Sequence, residues 1–369
     1  MHPGFTFGNT QLSGIWVAKY EASSTDPNKT EATGTYYAGA NTGGGNVNNL
    51  QVRVLPDVYS WRNVNVGNTQ TVSMSMTNSD GSVGTTVNLD THLIKNMEWG
   101  VIAYFSQSKY GQEPWINPYG DQNNNSRKMK TGYAGLSKDT TEIAEGSMFL
   151  YKYNTKNGVK ATTTGNIYGI YDISGGAWER TASFIDNGNV NLSLYGKKEH
   201  FQNNKLNQEY AKYYDIYEPG DEEKEGGAFY GVNGQNLWNS VAPYNVSQES
   251  NNVIRKRLTE ATYAKFANKK GDALWETSNG ISYYGRYTSG TTDLAWLKNT
   301  TRASSSGEDY TTCWNGDYMH VGLGYRCFLG RGGFIGNTTY AGLYSYLASY
   351  GDPSPSYGFR PVLVIGNSL

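Results

Sequence analysis

Residues 165–179 read Gly-Asn-Ile-Tyr-Gly-Ile-Tyr-Asp-Ile-Ser-Gly-Gly-Ala-Trp-Glu, and no regular element runs through them unbroken. Ile167 to about Arg180 is apolar enough for a short helix, but Gly169, Gly175 and Gly176 interrupt it. A glycine has no Cβ to restrict its backbone, so it weakens a helix and permits a sharp reversal. The expectation is a helical turn followed by a tight bend, with Trp178 filling the core beside it. Whatever fold the chain adopts must accommodate an irregular, glycine-hinged segment in its interior.

Around this segment the pattern alternates between short elements and long polar stretches. Phe5, Phe7, Leu12, Ile15, Trp16 and Val17, with turns at Gly8-Asn9 and Ser13-Gly14, predict strands over 5–20. Alternation returns at Val52, Val54 and Val58 and again at Val72, Met74 and Met76, before the turn at Asp80-Gly81. The clearest helix is expected from Asp90, as N-cap, to about Lys109, with Leu93, Ile94, Met97, Val101, Ile102, Tyr104 and Phe105 on one face. Lys205–Tyr217 and Leu258–Asn268 are further helix candidates, and the chain closes on glycine-punctuated strands ending at Val362–Ile365. No repeat of 20–50 residues and no dividing linker is present. The reading is therefore a single α+β domain over 1–369, with insertions at about 21–50, 112–165 and 186–325 and a distinct C-terminal part over 326–369.

Composition narrows the function. With 31 Lys+Arg against 32 Asp+Glu, the chain lacks the electrostatic footprint of a nucleic-acid binder. No run approaches the roughly 18 apolar residues that a membrane-spanning helix needs, so no membrane insertion is expected. Charged residues make up only 17%, while 31 tyrosines accompany 45 glycines. Tyrosine among small polar residues suits a recognition surface, because its ring gives a large, stiff contact at low entropic cost. It equally suits the strands of a loop-rich extracellular domain. The start Met1-His2-Pro3 shows no signal-peptide progression, so any leader or anchor would lie outside this chain.

A search for catalytic chemistry yields nothing that assembles. His2, His92, His200 and His320 are scattered and fit no metal spacing. Cys313 and Cys327 are open to one bridge or to two buried thiols. Asp221, Glu222, Glu223 and Glu225 read as a solvated loop. Trp314-Asn315-Gly316-Asp317 carries oxygens that suit calcium, and reads as well as an aromatic loop holding no ion. No acid, base and nucleophile come together, so neither an enzyme, a metal nor a cofactor is expected.

Three segments together carry a resemblance. Gly165 to Glu179 resembles the G-x-Y-D-M-S-G-N-V-W-E signature of the formylglycine-generating (sulfatase-modifying) family. Arg331-Gly332-Gly333 resembles its R-G-G, and Gly358-Phe359-Arg360-Pro361-Val362 resembles its closing G-F-R strand. The resemblance implies a C-type-lectin-like fold, with small twisted antiparallel sheets, two main helices and much loop. In that frame Asp172, Trp178, Glu179, Arg331, Gly332, Gly333, Gly358, Phe359 and Arg360 are scaffold. Asp172 would bond backbone at the bend, and Glu179 would pair with Arg331 or Arg360 across the sheet.

The family's oxidases carry two copper-binding cysteines between R-G-G and G-F-R. Here that interval, Phe334–Tyr357, contains neither Cys nor His, and Cys313 and Cys327 both precede it. Without thiolates to hold copper, an oxidase of this fold is the least favoured reading. The interval is instead similar to the variable region of proteins diversified by retroelements, such as phage tropism determinants and bacterial surface proteins. In such a region Phe334, Asn337, Thr339, Tyr340, Tyr344, Tyr346, Ser349, Tyr350, Asp352, Ser354, Ser356 and Tyr357 would be exposed and bind ligand. Gly336, Ala341, Gly342, Leu343 and Gly351 would form the fixed frame between them. Segments 95–111 and 271–278 also look like surface and pilin head domains of gut Firmicutes. The expected function is recognition of a protein or glycan by an extracellular, surface- or phage-displayed module. The alternative is a structural head of a surface filament.

Overall fold

The computed structural model describes residues 2–25, 51–77, 89–112, 114, 131–134, 151–186, 188–217, 309–311, 318–320, 326–334 and 341–365. The helix expected at Leu258–Asn268, the acidic loop at 221–225, Trp314–Asp317 and Cys313 lie outside them. The described residues form an α+β arrangement of short helices and several small sheets.

In chain order the elements are β1 (Thr6–Phe7), β2 (Thr10–Gln11), β3 (Trp16–Val17), β4 (Ser23–Ser24), β5 (Val52–Arg53) and α1 (Val66–Met74). Next come β6 (Leu89–Leu93), α2 (Asn96–Ser106), β7 (Trp178–Ile185), α3 (Val190–Tyr195), β8 (Phe201–Gln202), β9 (Lys205–Leu206) and β10 (Asp215–Tyr217). The remainder are β11 (Asp309–Thr311), β12 (Tyr318–His320), β13 (Phe328–Arg331), β14 (Tyr346–Ser349), β15 (Tyr357–Phe359) and β16 (Pro361–Ile365). The main sheet runs β10-β7-β13-β14-β12-β11, with β15 also pairing β7. It is mixed, since β10 and β15 pair β7 in parallel while β13 meets β7 antiparallel. A second, antiparallel sheet has the order β3-β16-β6. From within the expected insertion at 186–325, β10, β11 and β12 belong to the main sheet.

Four elements differ from the sequence reading. The alternation at Val72, Met74 and Met76 lies on helix α1 and the short 3-10 turn after it. Asn65 caps that helix, its Oδ1 accepting from the Asn68 N–H at 2.8 Å. Gln70 gives α1 its polar tie to the core, accepting the Leu93 N–H at 3.0 Å. The helix expected from Asp90 instead begins at Asn96, because Leu89–Leu93 are taken by β6, which pairs all five of its residues with β16. Glu98 closes the new start by accepting the Lys95 N–H at 2.8 Å. The segment after Gly165 bends rather than coils and then extends into β7. Lys205–Tyr217 divides into β9, a 3-10 turn at Gln208–Tyr213 and β10.

The core is aromatic. Phe184 on β7 meets Phe201, Tyr214 and Phe328 at ring-centroid distances of 5.0, 5.8 and 6.4 Å. Trp61, Trp99 and Trp178 are buried with them, each such side chain contributing about 1.5–3 kcal/mol or more through area removed from water. Cys327 is a free thiol, and burial pushes its ionisation up. Among the described residues no helix is long and apolar enough to cross a membrane.

Candidate functional site

The three motif segments meet on β7. Arg331↔Glu179 is a register pair between β13 and β7, and Gly358↔Glu179 is one between β15 and β7. Asp172, Gly175 and Gly176 make the bend before β7 at φ of +65°, +84° and +67°. Asp172 bonds backbone, as expected, accepting the Gly132 N–H at 3.1 and 2.9 Å on its two oxygens. Of the two arginines open to Glu179, Arg360 makes the pair. Its Nε and Nη2 donate to the two carboxylate oxygens at 2.9 and 2.5 Å, and both side chains are completely buried. Arg360 also donates to the carbonyls of Ala18 (2.6 Å) and Tyr171 (2.8 Å), so one guanidinium ties three chain segments together.

Gly332 and Gly333 turn the chain out of β13 at φ of +85° and +78°. The Trp99 ring lies against Gly332, where an added Cβ would come within 3.2 Å of it. The Trp99 indole N–H donates to the Leu343 carbonyl at 2.7 Å. Helix α2 thereby holds the return segment 341–345, and Ala341, Gly342 and Leu343 are buried, as frame residues should be.

The predicted binding residues do not share one surface. Tyr344 is fully buried, its hydroxyl donating to Gln107 Oε1 at 2.9 Å. Tyr346 is buried on β14, with the Arg331 guanidinium 5.8 Å from its ring centroid. Ser349 and Ser356 are buried as well. The exposure expected of these four is therefore corrected: the return toward α2 and pairing in β14 turn Tyr344, Tyr346 and Ser349 inward, and the Trp178 N–H draws in Ser356 by donating to its carbonyl at 2.9 Å. Asn337, Thr339 and Tyr340 lie outside the described residues. Phe334 is half-buried with its ring 6.5 Å from that of Trp178, at the other end of the interval.

What the structure does bring together is the loop between β14 and β15. Tyr350 is 37% exposed, and Asp352 and Ser354 are half-buried. Arg326, which the sequence reading did not single out, places its guanidinium 5.4 Å from the Tyr350 ring centroid. At Gly351 (φ +91°) the chain passes so close to the Phe328 ring and to Tyr195 of α3 that a Cβ would meet both. Beside Tyr195, α3 exposes Val190 (56%) and Leu194 (45%), one helical turn apart. A second feature missed in the sequence is how firmly the loop is held. The Val66 and Asn63 N–H groups each donate at 3.0 Å, to the Gly351 and Ser354 carbonyls. Arg62 Nη1 donates to the Pro355 carbonyl at 2.8 Å. Arg180 donates to the Asp352 carbonyl and stacks its guanidinium 4.5 Å from the Tyr357 ring centroid, and burial lowers its ionisation to about 10. A backbone-anchored loop of this kind presents its side chains without first having to order them.

A second polar constellation surrounds His92. Its Nε2 lies 2.9 Å from Glu98 Oε1 and its Nδ1 lies 3.5 Å from Asp90 Oδ1, while its ring stacks on Phe7 at 5.1 Å. Burial works against the imidazolium, but Glu98 and Asp90 outweigh it and raise the His92 pKa above its ordinary value. Burial likewise opposes charge on Glu98, yet His92 and Lys95 beside it hold its carboxyl down to about 2. Lys95 Nζ continues the network to the carbonyls of Thr6 (3.2 Å) and Lys212 (3.4 Å). The group joins β6, α2, β1 and the 208–213 turn, and its ring is closed off from solvent. Among the described residues no group of three His, Cys, Asp or Glu is arranged to hold a metal ion.

Comparison with protein-family models and with curated proteins gave no match to this chain.

Proposed function

We propose that this chain is a non-enzymatic recognition protein of C-type-lectin-like, formylglycine-generating-enzyme type, whose ligand-contacting face centres on the loop between β14 and β15. One observation carries the reading. Tyr350, backed by Arg326, projects from a loop whose backbone is bonded to residues 62–66 on one side and to Arg180 on the other. A stiff amphipathic ring on a pre-ordered loop is what binding surfaces built from tyrosine exploit. Asp352 and Ser354 add hydrogen-bonding groups, and α3, which reaches the loop through Tyr195, exposes Val190 and Leu194. The ligand is a protein or a glycan met outside the cell, and the segment after Arg331 is where a diversified version of this module would vary.

The test is a binding screen of the purified protein against glycan and cell-surface protein panels, repeated with a Tyr350→Ala, Arg326→Ala double variant. Binding lost by the variant at unchanged melting temperature supports the reading. A ligand held equally by both proteins would move the site elsewhere. Sequencing the neighbouring genes tests the diversified version, which requires a reverse transcriptase and a template repeat differing at adenines.

A structural role in a filament is favoured by a different patch. Trp16 is 69% exposed on β3, at the edge of its sheet, opposite Leu363 and near the exposed Ile365. An edge strand bearing an exposed tryptophan is a natural place for another chain to pair. Concentration-dependent self-association that Trp16→Glu abolishes would support this second reading.

A further inference from the structure

Three carboxyls gather around the bend before β7. Glu21, Asp172 and Glu179 are each 2% exposed or less and Arg360 faces them, while the equally buried Arg331, in register with Glu179 on β13, turns its guanidinium to the Leu343 carbonyl and the Tyr346 ring. Arg360 spends its donors on both oxygens of Glu179 and on the carbonyls of Ala18 and Tyr171. Glu21 and Asp172 accept from backbone donors: Ala177 N–H gives to Glu21 Oε1 at 3.0 Å, and Gly132 N–H to both oxygens of Asp172. Nearby Lys19 lies over the Tyr20 and Tyr171 rings at 5.6 and 5.8 Å, and the Tyr153 ring meets that of Tyr20 at 6.0 Å. Among the described residues, ionising all three carboxyls against the one guanidinium bonded to Glu179 would gather excess negative charge in the interior, a state that burial penalises heavily.

We propose that the Glu21–Asp172–Glu179–Arg360 cluster is a proton-held lock, in which Glu21 and then Asp172 carry the protons that let segments 18–22, 171–179 and 358–360 pack together. The same direction follows from the electrostatics. Burial, and after it the charges of Glu179 and Asp172, raises Glu21 well above the carboxylate range. Burial lifts Asp172 to about 7 against the pull of Arg360. Burial raises Glu179 as well, but there the guanidinium that grips both of its oxygens opposes it directly. Loss of the protons sets Glu21 against Glu179 and Asp172, next to Gly358 of β15, where an added Cβ would lie 3.2 Å from Glu21 Oε2. The lock therefore loosens the strand that ends the recognition loop as pH rises.

Infrared spectra of the folded protein at about pH 7, where solvated carboxyls are ionised, test this directly. The expected result is a protonated-carboxyl stretch that is lost or halved in Glu21→Gln. Its absence from the wild-type spectrum overturns the proposal, with no variant needed. In urea titrations the wild-type midpoint should be lower at about pH 8 than at about pH 5, and Glu21→Gln should narrow that gap by half or more. A gap that Glu21→Gln and Asp172→Asn both leave unchanged would likewise overturn it.

Discussion

Residues 341–349 and 350–357 are neighbours in the chain and alike in composition, both mixing tyrosine, serine and small residues, yet they meet opposite fates. The first stretch carries Tyr344 and Tyr346 into the core, while the second holds Tyr350, Asp352 and Ser354 at or near the surface. The difference lies in what the backbone does. From Ala341 to Ser349 the chain returns from the Gly332-Gly333 turn, docks on Trp99 and enters a strand flanked on both sides, by β13 and by β12. From Tyr350 until β15 it leaves the sheet, and carbonyl contacts to Arg62, Asn63, Val66 and Arg180 hold residues 351–355. Tyr346 is a core residue because its strand is paired on both sides, and Tyr344 because the return segment docks on Trp99, whereas Tyr350, just past the strand, stays at the surface.

The largest expected effect tests the frame on which both stretches rest. Arg360→Leu removes the partner of Glu179 and should cost about 3–5 kcal/mol, seen as a collapse of the urea midpoint or loss of cooperative unfolding. Tyr344→Ala should cost a similar amount, about 3–5 kcal/mol, by opening a cavity against α2, whereas Tyr344→Phe should cost only about 1 kcal/mol for the bond to Gln107. If Tyr344→Ala were tolerated with no loss of stability, the buried character of residues 341–349 would be wrong. Gly351→Ala should follow, destabilising by about 1–3 kcal/mol through its positive φ and its collision with Phe328 and Tyr195. The smallest effect is expected at the surface. Tyr350→Ala should change stability by no more than about 0.5 kcal/mol while removing ligand binding.

Titration sharpens the contrast between frame and face, since the strongly shifted acids sit in the frame. Asp172 has a raised pKa in the folded state, so its contribution is complete below the ordinary carboxylate value and is lost as pH rises through about 7. His92, also raised, contributes below its ordinary value near 6.5 and is lost as pH climbs through its folded value. Glu98 behaves oppositely: held down to about 2, it contributes fully above the carboxylate range and is lost as pH falls through 2. Melting temperature should therefore peak in mildly acidic buffer and decline toward neutrality. A profile rising steadily from about pH 5 to about pH 8 would contradict these signs.

Much of the scaffold was legible in residues 165–179, 331–333 and 358–362. The glycines announced the bend, Trp178 announced burial beside it, and Glu179 announced a buried partner that proved to be Arg360. Less legible were the elements decided by competition. Asp90 and Leu93 fit a helix as well as a strand by local pattern, and only pairing with β16 settles them as β6. Val72 and Met74 alternate like a strand, and the Asn65 cap with the Gln70 contact to Leu93 makes them a helix. Arg326 and Arg180 gave no motif at all, because their roles depend on Tyr350, Asp352 and Tyr357 arriving from distant strands.

By itself the sequence determined an α+β chain built on a glycine-hinged, arginine- and carboxylate-bearing frame, since these are properties of local geometry and of charges that need partners. Tertiary structure alone decided which tyrosines face outward and how many carboxylates share one guanidinium. Both depend on strand order and on segments far apart in the chain, and neither backbone propensity nor composition encodes which face of a strand the rest of the protein covers.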